Sequence, residues 1–479
     1  MNIYSRRIAL ALLAAVSTGC MVGPDYQRPA IDATARWSEA PEHNVPAPAE
    51  PSHWWTSFND AELDSLIDRA VAANLDIALA QARIRESRAN RTIAAAPLWP
   101  SLSGTGSFTR STQSENAGGR STQPVNTYQA GFDATWELDV FGGSRRSVEA
   151  SQATLEASYF DRGDVLLTLL GDVARNYIEL RGFQRQLDVA RNNLASQNDT
   201  LELTRARYKG GLASDLDVAR AEAQVETTAS QIPTLETSYK EAVHRLGVLL
   251  GAAPGTLTDE LAPSRPIPVA SAQIPEGLPS DVLRQRPDVR RAERQLASAT
   301  AQIGVATADL YPKFSLVGSA GLESIKASDF FTGGSKLWSI GPSITWPIFQ
   351  GGQIVATIEV RDAQAEQALI TYRQSILTAL EDVENTIVAY TRERVRRETL
   401  LAAVASNQRA VDLATSLYTR GLSDFLSVLD AQRNLLQAEN DLAASETAVS
   451  TDLVALHKAL GGGWDAFPME MNIATRNVP

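Results

Sequence analysis

The sequence predicts a mixed α and β fold: a membrane β-barrel with four strands per chain, continued by a long α-helical barrel, and built by internal duplication. Three observations lead there. Two halves of the chain match at a fixed offset, strict period-2 stretches occur in pairs, and a run with no Gly or Pro lies between Gly352 and Gly421.

Composition sets the bounds. The chain has 479 residues, 44% hydrophobic and 21% charged, which excludes wholesale disorder. A net charge of -12 argues against nucleic acid as a partner, because phosphate needs a basic face. One cysteine excludes an internal disulfide and a Cys-based zinc site. His43, His53, His244 and His457 are scattered without metal-ligand spacing. No G-x-S-x-G, H-E-x-x-H or Walker A pattern is present, so no enzyme and no cofactor is expected. Paired acids such as Glu381-Asp382 read as solvated helix surface.

Residues 1–19 read as a signal peptide. Arg6 and Arg7 form its basic start, and Ile8 to Val16 is an apolar run too short to span a bilayer. Ser17-Thr18-Gly19-Cys20 is similar to a bacterial lipobox, with Ser17 at the position usually held by Leu. That similarity implies a diacylglycerol and an N-acyl chain on Cys20, and Met21 after it implies sorting to the outer membrane. Residues 20–53 then form a lipidated tether. No other segment is apolar enough for a spanning helix, so any membrane crossing must be a closed β-barrel.

The first repeat covers 54–255 and the second 278–463, with a linker at 256–277 and a tail at 464–479. Tyr208-Lys209-Gly210-Gly211-Leu212 matches Tyr418-Thr419-Arg420-Gly421-Leu422, and Gly131 with Trp136 matches Gly341 with Trp346. From Gly131 onward the offset is 210 without a gap. Each repeat reads as helix, two strands, a very long helix, a turn and a second helix. The Gly- and Pro-free run of the second repeat is long enough for roughly 100 Å of α-helix. Leu369, Tyr372, Ile376, Leu380, Val383, Ile387 and Tyr390 form its apolar seam. In the first repeat Gly163, Gly171 and Gly182 are expected to soften the equivalent helix.

The strands are expected at about 101–110, 127–140, 313–322 and 337–349. Tyr128, Ala130, Phe132, Ala134, Trp136, Leu138 and Val140 point one way; Gln129, Gly131, Asp133, Thr135, Glu137 and Asp139 point the other. Each pair forms a hairpin with a polar tip. Four strands cannot close a barrel, and open edges are forbidden in lipid. Copies must therefore associate about an axis, and three copies give twelve strands.

The chain resembles the TolC-like outer-membrane factors, in the lipidated branch of OprM and NodT type. The resemblance rests on Cys20-Met21-Val22-Gly23-Pro24-Asp25-Tyr26, Trp54-Trp55, Tyr177-Ile178-Glu179-Leu180, Arg286-Pro287-Asp288-Val289 and Ile303-Gly304-Val305-Ala306 before Tyr311-Pro312. It implies a homotrimer in outer-membrane lipid that extends into the periplasm. It further implies the exit duct of a tripartite efflux system, fed by a periplasmic adaptor and an inner-membrane pump of the resistance-nodulation-division class. The turns at Gly211, Leu212, Gly421 and Leu422 then form the periplasmic tip and dock the adaptor. Gate residues of the family map onto Asp217 and Tyr418, which would hydrogen-bond between helices when shut, and onto a ring of Asp430. A second acid ring of some relatives falls on Ser427, and a gating Arg on Ser423. The competing reading is a lipid-anchored periplasmic coiled-coil structural or adhesin protein, which accounts for the helices and not for the paired strands.

Overall fold

The computed structural model describes residues 21–30, 37–39, 51–114, 116, 123–270 and 283–468. The signal segment, Cys20 and most of the expected tail lie outside the described residues.

The elements run α1 (Ala61–Ala73), α2 (Leu75–Ala95), β1 (Ser101–Ser111), β2 (Val125–Leu138), α3 (Gly143–Lys209), α4 (Asp215–Leu249), α5 (Pro287–Ala308), β3 (Lys313–Ser324), β4 (Lys336–Thr345), α6 (Gln353–Thr419) and α7 (Phe425–Ala459). The duplication is written in their lengths: α3 and α6 have 67 residues each, and α4 and α7 have 35 each. No described helix is long and apolar enough to cross a membrane.

Two compact units divide the chain, and each draws on both repeats. One comprises Met1–Ala30, Arg83–Tyr159 and Arg291–Arg373. Its centre is a four-stranded antiparallel sheet in the order β1-β2-β3-β4. Register keeps even residues opposite even ones throughout: Leu102↔Ala134, Ala134↔Gly318 and Gly318↔Ile340. One face therefore carries Leu102, Phe108, Phe132, Trp136, Leu316, Trp338, Ile340 and Ile344, while the other carries Ser103, Thr105, Asp133, Ser319, Ser339 and Ser343. The expected alternation holds, with two differences in extent. β2 ends at Leu138, where Asp139 turns to cap α3 by accepting from Ser144 N at 3.0 Å and Arg145 N at 2.9 Å. β4 ends at Thr345, ahead of Pro347 and of Gly351 and Gly352, both at positive φ. Pairing between β2 and β3, across the repeats, was not legible from the hairpins alone.

The segment after Cys20 is pinned in this unit. Arg146, buried, donates to Val22 O at 3.1 Å and pairs with Asp25 at 2.7 Å. Gly23, at φ 87, lies directly against the backbone of Gly304, where a Cβ on Gly23 would collide, and a Cβ on Gly304 would meet the Arg146 side chain. Tyr26 donates to Glu293 at 3.2 Å; burial and that carboxylate push its phenol up to about 12.

The other unit comprises Ile31–Ala82, Phe160–Arg290 and Gln374–Pro479. Its core joins Leu63, Leu66 and Ile67 of α1 to Leu170, Val173 and Tyr177 of α3, Val243 and Leu246 of α4, Val383 and Ile387 of α6, and Leu453 of α7. Each fully buried side chain of this kind contributes about 1.5–3 kcal/mol. The glycines expected to soften α3 do something else, because the helix runs through all three. A Cβ on Gly163 would meet Trp464 at 3.0 Å, one on Gly171 would meet Lys458 at 3.2 Å, and one on Gly182 would run into Thr447 Oγ1. They are approach points for the second repeat and for Trp464, which follows it. Asp382, expected on a solvated face, stays partly exposed and also accepts from Arg286 at 3.0 Å.

Candidate functional site

The two turns between long and short helices form the candidate site, in the second unit. Each begins with a helix end that only glycine permits. Gly211 (φ 70) donates to Tyr208 O at 2.9 Å and Leu212 to Arg207 O at 2.8 Å. Gly421 (φ 76) donates to Tyr418 O at 2.9 Å and Leu422 to Leu417 O at 2.9 Å. This double bond pattern is a Schellman cap, closing α3 and α6 in the same way.

The returning helices are capped by one device with its two residues exchanged. Ser214 caps α4: Asp217 N donates to Ser214 Oγ at 3.2 Å, and Ser214 N donates back to the Asp217 carboxylate at 3.0 Å. In the second turn the acid caps and the serine responds: Ser427 N donates to Asp424 at 3.1 Å and Ser427 Oγ at 2.7 Å. These two bonds, with Arg220 nearby, hold the Asp424 carboxyl below its ordinary value.

Behind the turns a small apolar cluster gathers Leu201, Ala221, Val225, Tyr418, Phe425, Val428 and Leu429. Tyr418 is 4% exposed and its ring centre lies 5.8 Å from that of Phe425. The Arg207 guanidinium sits 4.6 Å over the Tyr418 ring and donates to Thr419 O at 3.1 Å. Tyr418 Oη and Arg207 Nε are buried without hydrogen-bond partners in the single chain. Polar rungs continue the contact: Gln432 donates to Thr200 at 2.8 Å and Arg433 to Gln224 at 2.6 Å.

The hydrogen bonds between helices expected of Asp217 and Tyr418 are not made within the single chain. Asp217 is committed to Ser214, which is its neighbour on the same helix cap, and Arg207 occupies the Tyr418 ring instead. Asp430 is exposed on the first turns of α7, and its match in the first repeat is Arg220. Leu212 and Leu422 project with 69% and 71% of their surface exposed, and Leu216 and Leu426 are exposed beside them. Arg207 escaped the sequence reading. Its signal was a mismatch, since Leu417 stands at the matching place, next to the repeated Tyr208 and Tyr418. Among the described residues no group of His, Cys, Asp or Glu is placed to hold a metal ion.

A family model described as "Outer membrane efflux protein" matches residues 66–252 and 278–462. Nodulation protein T of Rhizobium leguminosarum bv. trifolii is 35% identical over 451 residues, covering 94% of this chain and 95% of that protein. The pyoverdine export outer membrane protein OpmQ of Pseudomonas aeruginosa is 35% identical over 425 residues, covering 86% and 88%. Among solved structures, the outer-membrane channel OprN superposes with a TM-score of 0.87 at 36% identity, over 93% of this chain and all of that one. The open state of the Neisseria gonorrhoeae MtrE outer membrane channel gives 0.82 at 27% identity, over 93% and 99%.

Proposed function

This chain belongs to the outer membrane efflux protein family, and from that premise we propose how its parts serve an exit duct. The protein is an outer-membrane efflux channel. The observation that carries the reading is the sheet: one face apolar, the other lined with Ser, Thr and Asp, and both margins open. Such a sheet is stable in lipid only when closed into a ring with the polar face on the bore. Three copies supply twelve strands, and the long helices continue the passage into the periplasm.

The duct is passive and carries no catalytic group. Energy comes from an inner-membrane pump, of the resistance-nodulation-division class by resemblance, joined through a periplasmic adaptor. The adaptor seats on the turns, where Gly211 and Gly421 shape the chain and Leu212 and Leu422 offer apolar contacts. Asp430 rings the aperture and favours cations there. Tyr418, under Arg207, keeps the two turns of one chain together, and Asp217 keeps the first turn in shape. Cys20 carries the lipid anchor; labelled palmitate should mark the protein and miss Cys20→Ala.

The test of the whole is conductance with mass. Purified in mild detergent, the protein should have three times the mature mass and form discrete channels in a planar bilayer. A monomer without conductance would end the proposal.

A further inference from the structure

The apolar face of the sheet holds a charge asymmetry. Even-numbered residues of β1 to β4 form this face, and its only charged side chains are Arg110 and Lys336. The acids of the strands, Asp133, Glu137 and Glu323, all lie on the other face. Both cations stand at one end. α2 leads into β1 at Ser101 and α5 into β3 at Lys313, while β2 and β4 run out toward α3 and α6 after Leu138 and Thr345. Arg110 and Lys336 lie at the opposite strand ends, next to the hairpin tips. Both are exposed, and neither has an ion pair or hydrogen bond among the described residues.

The duplication puts the two cations on one rung. β1 maps onto β3 at an offset of 212 and β2 onto β4 at 210, so Ser101↔Thr135 answers Lys313↔Thr345. By the same offsets Arg110↔Asn126 answers Leu322↔Lys336. Each hairpin therefore carries one cation, from its first strand in one repeat and from its second strand in the other. One rung nearer the helices stand aromatic rings on the same face. Phe108 lies opposite Tyr128 with ring centres 4.9 Å apart, and Trp338 lies opposite Ala320. Phe108 and Trp338 are 59% and 77% exposed.

A second aromatic row bounds the face at the helix end. Tyr128 and Trp136 are eight residues apart, and so are Trp338 and Trp346. That is about 27 Å along a strand, or about 20 Å of height at the usual tilt, close to the apolar band of an outer-membrane barrel. Trp136 and Trp346 donate their indole N–H to Leu98 O and Leu310 O, both at 3.1 Å. No strand cation accompanies them on this face. Lys313, at the helix end, lies on the other face and pairs with Asp309 at 3.0 Å.

We infer that Arg110 and Lys336 bind the phosphates of lipid A, the phosphorylated saccharolipid of the outer leaflet. The inference rests on the duct reading, which turns this face to lipid and the hairpin tips to the cell surface. A cation at the end of an apolar face, one rung past an aromatic belt, lays its stem along the acyl region and its charge among the headgroups. The Arg110 fork matches phosphate oxygens in pairs, and Lys336 adds a point charge. A phosphate is repelled by a chain of net charge -12, but on this face it meets no strand acid. The asymmetry selects the leaflet, because inner-leaflet headgroups meet the row of Trp136 and Trp346, where the face holds no strand cation.

Binding of defined lipid A to the full-length protein in mild detergent tests this, read as the rise in Tm with lipid concentration. Bis-phosphorylated lipid A should raise Tm where dephosphorylated lipid A and inorganic phosphate do not. Arg110→Ala with Lys336→Ala should weaken that binding by about 25-fold, at about fivefold per cation near a charged lipid surface. Arg110→Lys with Lys336→Arg should keep most of it. The alanine pair should leave detergent mass, conductance and reversal potential as in wild type, since both side chains point away from the bore. Equal binding by wild type and the alanine pair, or equal binding of the dephosphorylated lipid, would overturn the inference. So would inorganic phosphate acting as well as lipid A, which marks a free-phosphate site, or a shifted reversal potential in the alanine pair, which puts the cations on the bore. Each of these leaves the duct reading intact. A monomeric wild type without conductance would overturn both.

Discussion

The Arg207 guanidinium covers the Tyr418 ring at 4.6 Å and bonds Thr419 O at 3.1 Å, so one cation of the first repeat holds both the aromatic ring and the helix end of the second. A positive charge at the C-terminus of α6 is favourable in itself. The converse contact has no counterpart. Leu417 replaces the cation, and Tyr208, the match of Tyr418, is 47% exposed. The duplication is broken at this pair, where the chain ties its two turns together.

Removing that cation should loosen the tie. A cation over an aromatic ring, with one charged hydrogen bond, is worth about 2 kcal/mol in partly exposed surroundings. Arg207→Ala should therefore shift a closed aperture toward open by roughly thirtyfold per chain. Single-channel recording should show higher mean conductance, and Arg207→Lys should lie between, since a point charge cannot both stack and bond in a fork. Conductance equal to wild type in both variants would take Arg207 out of the aperture.

How much of this was legible in the sequence depends on whether a residue acts through periodicity or through a single partner. The strands and long helices were legible because the faces of β2 and the seam through Tyr372, Val383 and Tyr390 repeat many times over. At each cap a neighbour of the same kind competes, Asp215 beside Ser214 and Ser423 beside Asp424, and only backbone geometry chooses. Within the chain, the neighbours of Tyr418 and Asp217 were not legible: Arg207 lies over the ring. A hydrogen bond to Asp217 needs the carboxylate free, and a serine three residues earlier captured it. The glycines of α3 were misread for a related reason. Propensity sees a weak helix former, while the fold uses the missing side chain as space.

Asp430 carries the second prediction. It is exposed and acidic, and its repeat mate Arg220 is basic, so the proposed aperture would carry both signs at this level. An ion passing about 4 Å from one carboxylate gains about 1 kcal/mol in a water-like medium, a factor of about five. Asp430→Ala should lower cation-over-anion permeability by about that factor in bilayer reversal potentials and raise conductance. Arg220→Ala should move selectivity the opposite way. If neither substitution changes the reversal potential, these residues do not face the conducting path.

The third concerns Gly182. Thr447 Oγ1, which a new Cβ would strike, cannot swing aside cheaply because it donates to Ala443 O at 2.9 Å. Helix propensity alone favours alanine by about 1 kcal/mol. Overpacking costs about 1–3 kcal/mol and should win. Gly182→Ala is expected to lower Tm in detergent, and Thr447→Ala in the same chain should restore most of the loss. A Tm raised by Gly182→Ala alone would return that glycine to a merely local role.

The last prediction separates two effects on one side chain. His457 lies in the final turn of α7, where a positive charge gains from the helix end. It is also buried, stacked on Trp54 with ring centres 5.2 Å apart and planes 11° from parallel. Burial wins and pushes the imidazole down from 6.5 to about 4. The unfolded chain therefore binds more protons than the folded one between those values, and stability falls as pH drops through that window. At pH 5 the loss relative to pH 8 amounts to about 2 kcal/mol. His457→Phe keeps an aromatic ring against Trp54 and removes the titration. Its Tm should match wild type at pH 8 and exceed it at pH 5. Equal acid sensitivity in the two proteins would mean that His457 is hydrated and charged in the fold, and that the Trp54 stack does not exclude water.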